Sequence, residues 1–313
     1  MSFGDVIKKE LISKPIKDKH CKIAFLAGII RGSGVLVERE DGVCLEFKVY
    51  NEELLDIVLN YLEFLFNYRV REISVSSSKF SKNDKFIITL TPDITFRVLF
   101  DFGILKEEKE ETSVDFDFYS KLCNKDCCFK SFLKGLFISS GGCTAPLSTD
   151  SRTRYHLEIS FSHSIPAQDT AGRLYKYGIA TKILKRKDQY VLYIKSKEEI
   201  KDFIAFLPAP VSVLKLTDIF IEREISNDSN RGRNCDIANL NRQFSASQKL
   251  VTAIDKIDKT IGLSSLKKDL KETAEKRLEF REDSLEELAE KLGITKSCLN
   301  HRLRKILSIS NEI

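Results

Sequence analysis

The chain has 313 residues, of which 42% are hydrophobic and 31% charged, a balance that suits two or three folded domains and excludes wholesale disorder. No apolar run approaches the ~20 residues of a membrane span, and the opening Met1-Ser2-Phe3-Gly4-Asp5-Val6-Ile7-Lys8-Lys9-Glu10 is amphipathic and carries acids, unlike a signal peptide. A formal net charge of +5 is too small to name a nucleic-acid partner by itself, so the distribution of charge must carry that argument. Eight cysteines in such a chain point to thiols in a reducing compartment, hence to a cytoplasmic location.

In chain order, the first strong signal is Cys21-x-x-x-Phe25-Leu26-Ala27-Gly28-Ile29-Ile30-Arg31-Gly32-Ser33-Gly34. It reads as a helix whose Gly28 and Gly32, one turn apart, leave a groove for another backbone. Residues 36–40 and 43–50 follow as a hairpin turning at Asp41-Gly42, and alternation from Cys44 to Val49 gives it one buried and one wet face. Residues 52–66 are an amphipathic helix with Leu54, Leu55, Val58, Leu59 and Leu62 at helical spacing. A second hairpin is predicted at about 70–77 and 85–90 around Ser81-Lys82-Asn83-Asp84, and Pro92 then opens a short helix.

At a distance of 107 residues, Cys128-x-x-x-Phe132-Leu133-Lys134-Gly135-Leu136-Phe137-Ile138-Ser139-Ser140-Gly141 repeats the first motif. The same order follows it: an alternating strand at 156–161, a helix at about 166–177, strands at 181–186 and 190–195, and a helix at 197–206 before Pro208 and Pro210. The sequence therefore predicts a duplicated helix–hairpin–helix–hairpin unit, with the two motif helices paired on a pseudo-twofold axis. Ser33-Gly34 and Ser140-Gly141 would meet at one end of that pair. Cys123, Cys127, Cys128 and Cys143 fit no common zinc-finger spacing, and His20, His156, His163 and His301 form no ligand-spaced pair. Packing is the expected role of these cysteines, and neither a metal nor a cofactor is expected.

Residues 18–207 resemble the LAGLIDADG homing endonucleases on the strength of the two motifs. In that family, the acid just before the last glycine of each motif holds divalent metal near the scissile phosphates. Here those positions carry Ser33 and Ser140, whose neutral hydroxyls do not replace carboxylates for a hard cation. The nearest following acids, Glu38, Asp41 and Asp150, fall along strands or in a loop. The resemblance thus implies a nuclease scaffold without its catalytic acids, and no enzymatic activity is expected.

Residues 214–227 read as a further helix, and the polar stretch at 226–235, with Arg231-Gly232-Arg233, as a linker. Long helices follow at 236–260, with Ile237, Leu240, Phe244, Leu250, Val251, Ile254 and Ile257 on the apolar face, and at 266–280. Ser284-Leu285-Glu286-Glu287 is a capping box. Gly293 stops the helix it opens, Ile294 plugs the turn and Thr295 caps the next helix. This is a helix-turn-helix at about 284–307, with Glu286, Glu287 and Glu290 on the first helix and only basic charges on the second. Leu299, Leu303 and Ile306 mark the buried side of the second helix, which turns Ser297, Asn300, His301, Arg304 and Lys305 outward. Arg304 is suited to guanine, Asn300 to adenine, and His301 and Ser297 to further base contacts, with Lys296 and Arg302 as phosphate clamps.

From end to end the chain resembles the WhiA family of bacterial regulators. The resemblance rests on Met1-Ser2-Phe3 with Lys8-x-Glu10-Leu11, Cys127-Cys128, Asn234-Cys235-x-x-Ala238-Asn239-Leu240-Asn241 and Ser297-x-x-Asn300-His301-Arg302-Leu303-Arg304-Lys305. It departs from the family at His20, where a double cysteine is common, and at Arg231-Gly232-Arg233. The resemblance implies an α+β fold: a duplicated LAGLIDADG-like α-ββ-α-ββ-α domain at 1–225 (repeats at about 18–102 and 125–207), and an all-α DNA-binding domain at 236–313. It further implies a non-enzymatic, nucleoid-associated protein that binds double-stranded DNA, linked to sporulation gene control in some bacteria and to cell division or chromosome segregation in others. Two alternatives stay open on the residues alone: an active metal-dependent endonuclease, and an adaptor that contacts transcription or cell-division proteins.

Overall fold

In the computed structural model, residues 2–76, 85–108, 111–114, 122–146 and 153–313 are described. Ser2 starts α1 (Phe3–Ile12) with a reciprocal capping box: its Oγ accepts from the Asp5 N–H at 3.2 Å, and the Asp5 carboxylate accepts from the Ser2 N–H at 2.8 Å. α2 (Lys19–Ser33) carries the first glycine motif and leads into β1 (Val35–Arg39), β2 (Gly42–Val49), α3 (Glu52–Phe66), β3 (Glu72–Ser76), β4 (Lys85–Leu90) and α4 (Pro92–Asp101). A short hairpin, β5 (Leu105–Glu108) with β6 (Glu111–Val114), has a charge-rich sequence that does not announce strands. α5 (Asp126–Ser140) carries the second motif and is followed by β7 (Gly141–Thr144), β8 (His156–Phe161), α6 (Ser164–Lys176), β9 (Lys182–Arg186), β10 (Gln189–Ile194) and α7 (Lys197–Phe206).

The duplication is explicit in the sheets. Each repeat builds a four-stranded antiparallel sheet, in the orders β1-β2-β4-β3 and β7-β8-β10-β9. Alternation fixes which face is buried. Leu45, Phe47 and Val49 pair with Leu90, Ile88 and Phe86, while Leu157 and Ile159 pair with Ile194 and Leu192, and nearly all of these face the core. The turn predicted at Ser81–Asp84, and Asp150, lie outside the described residues.

α2 and α5 pack at the centre of this unit, and their glycines are the reason. A Cβ on Gly28 would overlap the Phe132 carbonyl oxygen, and one on Gly135 would overlap the Phe25 carbonyl oxygen, so each backbone seats against the other's. Phe25, Phe132, Phe137 and Phe203 are fully buried around the crossing. Lys134, only 4% exposed, lies within this packing; its Nζ donates to the Lys14 carbonyl at 2.6 Å and sits 5.4 Å from the centre of the Phe25 ring. Burial lowers its pKa to about 8.

Helix α8 runs Pro210–Thr260, and the two compact units of the chain, Met1–Arg223 and Glu224–Ile313, divide within it. The linker expected at 226–235 is therefore helical instead. The segment holds no proline, a single Gly232 costs only about 1 kcal/mol, and Asp228–Arg231 and Asn230–Arg233 contacts at i, i+3 support the turn locally. Its start is held from far away: the Glu10 carboxylate accepts from the Val211 and Ser212 N–H groups at 2.8 and 2.7 Å, and from the Ser212 hydroxyl at 2.6 Å. In the second unit, α9 (Lys268–Glu279), α10 (Leu285–Lys291) and α11 (Lys296–Glu312) close a core of Leu250, Ile254, Ile257, Leu270, Ala274, Leu288, Leu299, Leu303 and Ile306. Of the apolar face predicted for the long helix, Leu250, Ile254 and Ile257 are buried, whereas Ile237, Leu240 and Phe244 are exposed.

Gly28→Ala or Gly135→Ala is expected to cost about 3 kcal/mol, because backbone meets backbone and neither side has a rotamer to give. Urea unfolding measures this, and either variant should show it alone. Lys134 makes stability depend on alkaline pH. Above about pH 8 its folded-state ammonium deprotonates while the unfolded side chain stays charged to about 10.4. The unfolded state then binds the extra proton, so this group adds stability as pH rises. Relative to Lys134→Met, the wild type should gain on the order of 1–2 kcal/mol between about pH 7.5 and about pH 9.5.

Candidate nucleic-acid interface

The helix-turn-helix is assembled from local caps. Ser284 Oγ accepts from the Glu287 N–H at 3.2 Å, and the Glu287 carboxylate accepts from the Ser284 N–H at 2.8 Å, which holds that carboxyl below its ordinary range. α10 ends in a Schellman turn: Gly293 takes φ +62°, its N–H reaches the Glu290 carbonyl at 3.0 Å, and the Ile294 N–H reaches the Ala289 carbonyl at 3.0 Å. Thr295 Oγ1 then accepts from the Cys298 N–H at 3.2 Å and starts α11. Leu288 and Ala289 are buried opposite Leu299 and Leu303, which fixes the crossing of the two helices.

Packing divides the predicted contact residues into two groups. Lys296, Ser297, His301, Arg304 and Lys305 are exposed, and among the described residues Arg304 and Lys305 form no ion pair. Lys296 pairs with Glu286 at 3.5 Å on the open surface, a contact of little strength. Asn300 is half-buried and shares with Arg304, Arg242 and Gln243 the rim of a cavity of about 340 Å³. Arg302 is in neither place expected of a phosphate clamp. Its side chain is 18% exposed, and its guanidinium donates to the Asp269 carbonyl and the Thr273 hydroxyl, both at 3.3 Å. It tethers α11 to α9, because residue 302 adjoins Leu303 on the buried side of the helix. Arg242, which the sequence reading did not select, is brought beside Asn300 by α8. Helical spacing back from buried Leu250 was the available signal.

At the other candidate site, the two motif serines are committed to backbone. Ser33 Oγ lies 3.1 Å from both the Ile29 and Lys48 carbonyls and accepts from the Lys48 N–H at 3.2 Å. Ser140 Oγ donates to the Leu136 carbonyl at 3.1 Å. The cleft beside them, about 990 Å³, is lined by Gly32, Ser139, Ser140 and Gly141, by Asp5, Lys8 and Lys9 of α1, and by Glu52 and Glu53 at the start of α3. Lys8 sits 5.9 Å from both the Tyr50 and Phe137 ring centres, and burial lowers its pKa to about 8. Asp5 is bound to the Ser2 backbone. The end of the helix pair thus carries hydroxyls from both motifs, while the carboxylates and lysines around the cleft come from α1 and α3.

The cysteines considered together in sequence separate in space. Cys123 and Cys143 are buried, and desolvation pushes each thiol up to about 12. Cys127 and Cys128 instead meet His20 and Cys21 at the N-terminal ends of α2 and α5.

Comparison with known proteins agrees with this architecture along its whole length. Residues 19–105 match the WhiA N-terminal LAGLIDADG-like domain, residues 129–226 the WhiA LAGLIDADG-like domain, and residues 229–310 the WhiA C-terminal HTH domain. The probable cell division protein WhiA of Clostridium novyi is 31% identical over 318 residues, covering 100% of this chain and 98% of the relative. That of Ruminiclostridium cellulolyticum is 35% identical with the same coverage. The crystal structure of full-length DUF199/WhiA from Thermatoga maritima superposes with a TM-score of 0.59 at 28% identity, covering 100% of this chain and 99% of that one. No helix among the described residues is long and apolar enough to cross a membrane. A duplicated LAGLIDADG-like unit followed by this helix-turn-helix, matched domain by domain, places the chain in the WhiA family.

Proposed function

We propose that the protein is a non-enzymatic regulator that binds double-stranded DNA through α11 and acts in transcription control linked to cell division and chromosome segregation, associated with the nucleoid. The observation that carries this reading is the outer face of α11. Ser297, His301, Arg304 and Lys305 stand exposed on a helix whose start and crossing angle are fixed by two caps and a Schellman turn. Arg304 has the bidentate fork that reads guanine, and no acid of the domain pairs with it. Lys296 and Lys305 supply phosphate contacts, whose release of counterions makes affinity fall steeply with salt.

A second role for the N-terminal unit has its own support. Lys182, Lys185, Arg186 and Lys187 are exposed around the β9–β10 turn, a basic edge on a scaffold whose glycine-paired helices are intact. We infer that this edge adds phosphate contacts while α11 reads sequence. Serine at both motif ends, each bonded to backbone, argues against cleavage, and a site-specific nick in supercoiled DNA with magnesium or manganese would overturn this part of the reading.

Arg304→Ala should weaken binding to the preferred site by about 1–3 kcal/mol and relax one base position, whereas Lys305→Ala should weaken all sequences alike and lower the salt slope by about one unit. Footprinting and salt titration separate the two. Arg302→Ala should behave differently from both: it removes hydrogen bonds internal to the domain, so the thermal unfolding temperature falls with a stability loss on the order of 1 kcal/mol.

A further inference from the structure

Four side chains that lie far apart in sequence converge as metal donors do. His20, Cys21, Cys127 and Cys128 each place one donor atom so that all four lie within 4.8 Å of one another. His20 Nδ1 is 3.3 Å from Cys21 Sγ and 3.2 Å from Cys128 Sγ. From this geometry we propose that the N-terminal ends of α2 and α5 form a structural zinc site, in which one Zn²⁺ is held by the thiolates of Cys21, Cys127 and Cys128 and the Nδ1 of His20.

The donor set, three sulfurs and one imidazole, is that of a closed tetrahedral zinc site with no open position for substrate. Bonds of about 2.3 Å to sulfur and about 2.0 Å to nitrogen put the donors of a tetrahedron about 3.5–3.8 Å apart. The observed separations reach that arrangement by small side-chain rotations. The donors are too close together to span a cluster of several irons, whose ligands sit on different metal atoms. Calcium and magnesium, hard cations that take sets of oxygen ligands, are ill-matched to three sulfurs and an imidazole.

The surroundings fit the charge of the complex. On binding, Zn²⁺ displaces a proton from each of the three thiols to solvent and takes the imidazole as neutral, and nothing is oxidised or reduced. Three thiolates around Zn²⁺ leave one net negative charge. Two helices begin at this point, and neither Asp18 nor Lys125 caps its helix with a side chain, so the N–H groups of two first turns stabilise that charge. Cys21 and Cys128 occupy matched positions of the two repeats, so the ion lies near the pseudo-twofold axis. It joins segments 108 residues apart, at the end of the helix pair opposite Ser33 and Ser140. Cys21 and Cys128 are buried and Cys127 reaches the surface, which leaves a route for the metal to enter.

The test uses the full-length protein, purified without chelators or metal-affinity resin. Elemental analysis should find one zinc per chain, and the Cys21→Ser, Cys128→Ser double variant should lose it. Refolding with Co²⁺ should give the intense visible bands of tetrahedral thiolate-bound cobalt. His20→Cys, which supplies a fourth thiolate, should retain both the metal and the melting temperature. Removing zinc with a strong chelator should lower the melting temperature of the wild type by several degrees. If the wild type carries no zinc and shows no tetrahedral cobalt spectrum, the proposal is overturned. It is overturned equally if zinc persists in the double variant, or if mass spectrometry shows two of these cysteines joined as a disulfide instead. Cobalt spectra of the wild type decide the matter even if the double variant fails to fold.

Discussion

The close approach of two backbones at Gly28 and Gly135 is the constraint on which the first unit depends. Because each glycine faces a carbonyl of the other helix, the contact leaves no room for adjustment by rotamers. Everything around it is arranged to make that approach favourable. Aromatic rings from both repeats enclose the crossing, and each repeat lays its sheet beside the helix pair in the same strand order. The duplication thus has a physical counterpart: each motif helix supplies the partner for the other's glycine groove.

On that scaffold the two ends of the helix pair carry different chemistry. At the C-terminal ends, serine hydroxyls close the last helical turns, and charged residues of both signs from α1 and α3 line the cleft. At the N-terminal ends, imidazole and thiols converge. One helix pair thus carries hydroxyls at one end and soft donors at the other. Under the proposed function, the reading of DNA sequence falls to the second unit, where caps hold α11 in a fixed attitude.

Much of this was legible in the chain itself, and the failures have physical causes. The duplicated motif, the sheets and the helix-turn-helix follow from periodicity and caps, which are local signals. Arg302 was misplaced because a residue beside the buried stripe can turn its long side chain either way, and only the position of Asp269 and Thr273 decides. The segment 226–235 looked like a linker because polar residues and one glycine mimic a loop, yet nothing in it breaks a helix. The meeting of His20, Cys21, Cys127 and Cys128 was invisible to spacing rules, which search within one stretch of chain. It is created by the helix pairing, and Arg242 reaches Asn300 for the same non-local reason.

The carboxylate of Glu10 bears on how the chain comes to be folded. It binds the first N–H groups of α8 across 201 and 202 residues of sequence. During synthesis, α1 emerges first, while its partners at Val211 and Ser212 are made some two hundred residues later. The first unit therefore cannot complete its fold by growing outward from its own N-terminus; its earliest helix must wait, half-partnered, for the last part of the unit. A chain truncated before Val211 would leave Glu10 without those donors, and one lacking α1 would leave the start of the long helix uncapped. In kinetic terms, the two edges of this unit are sealed by a single carboxylate.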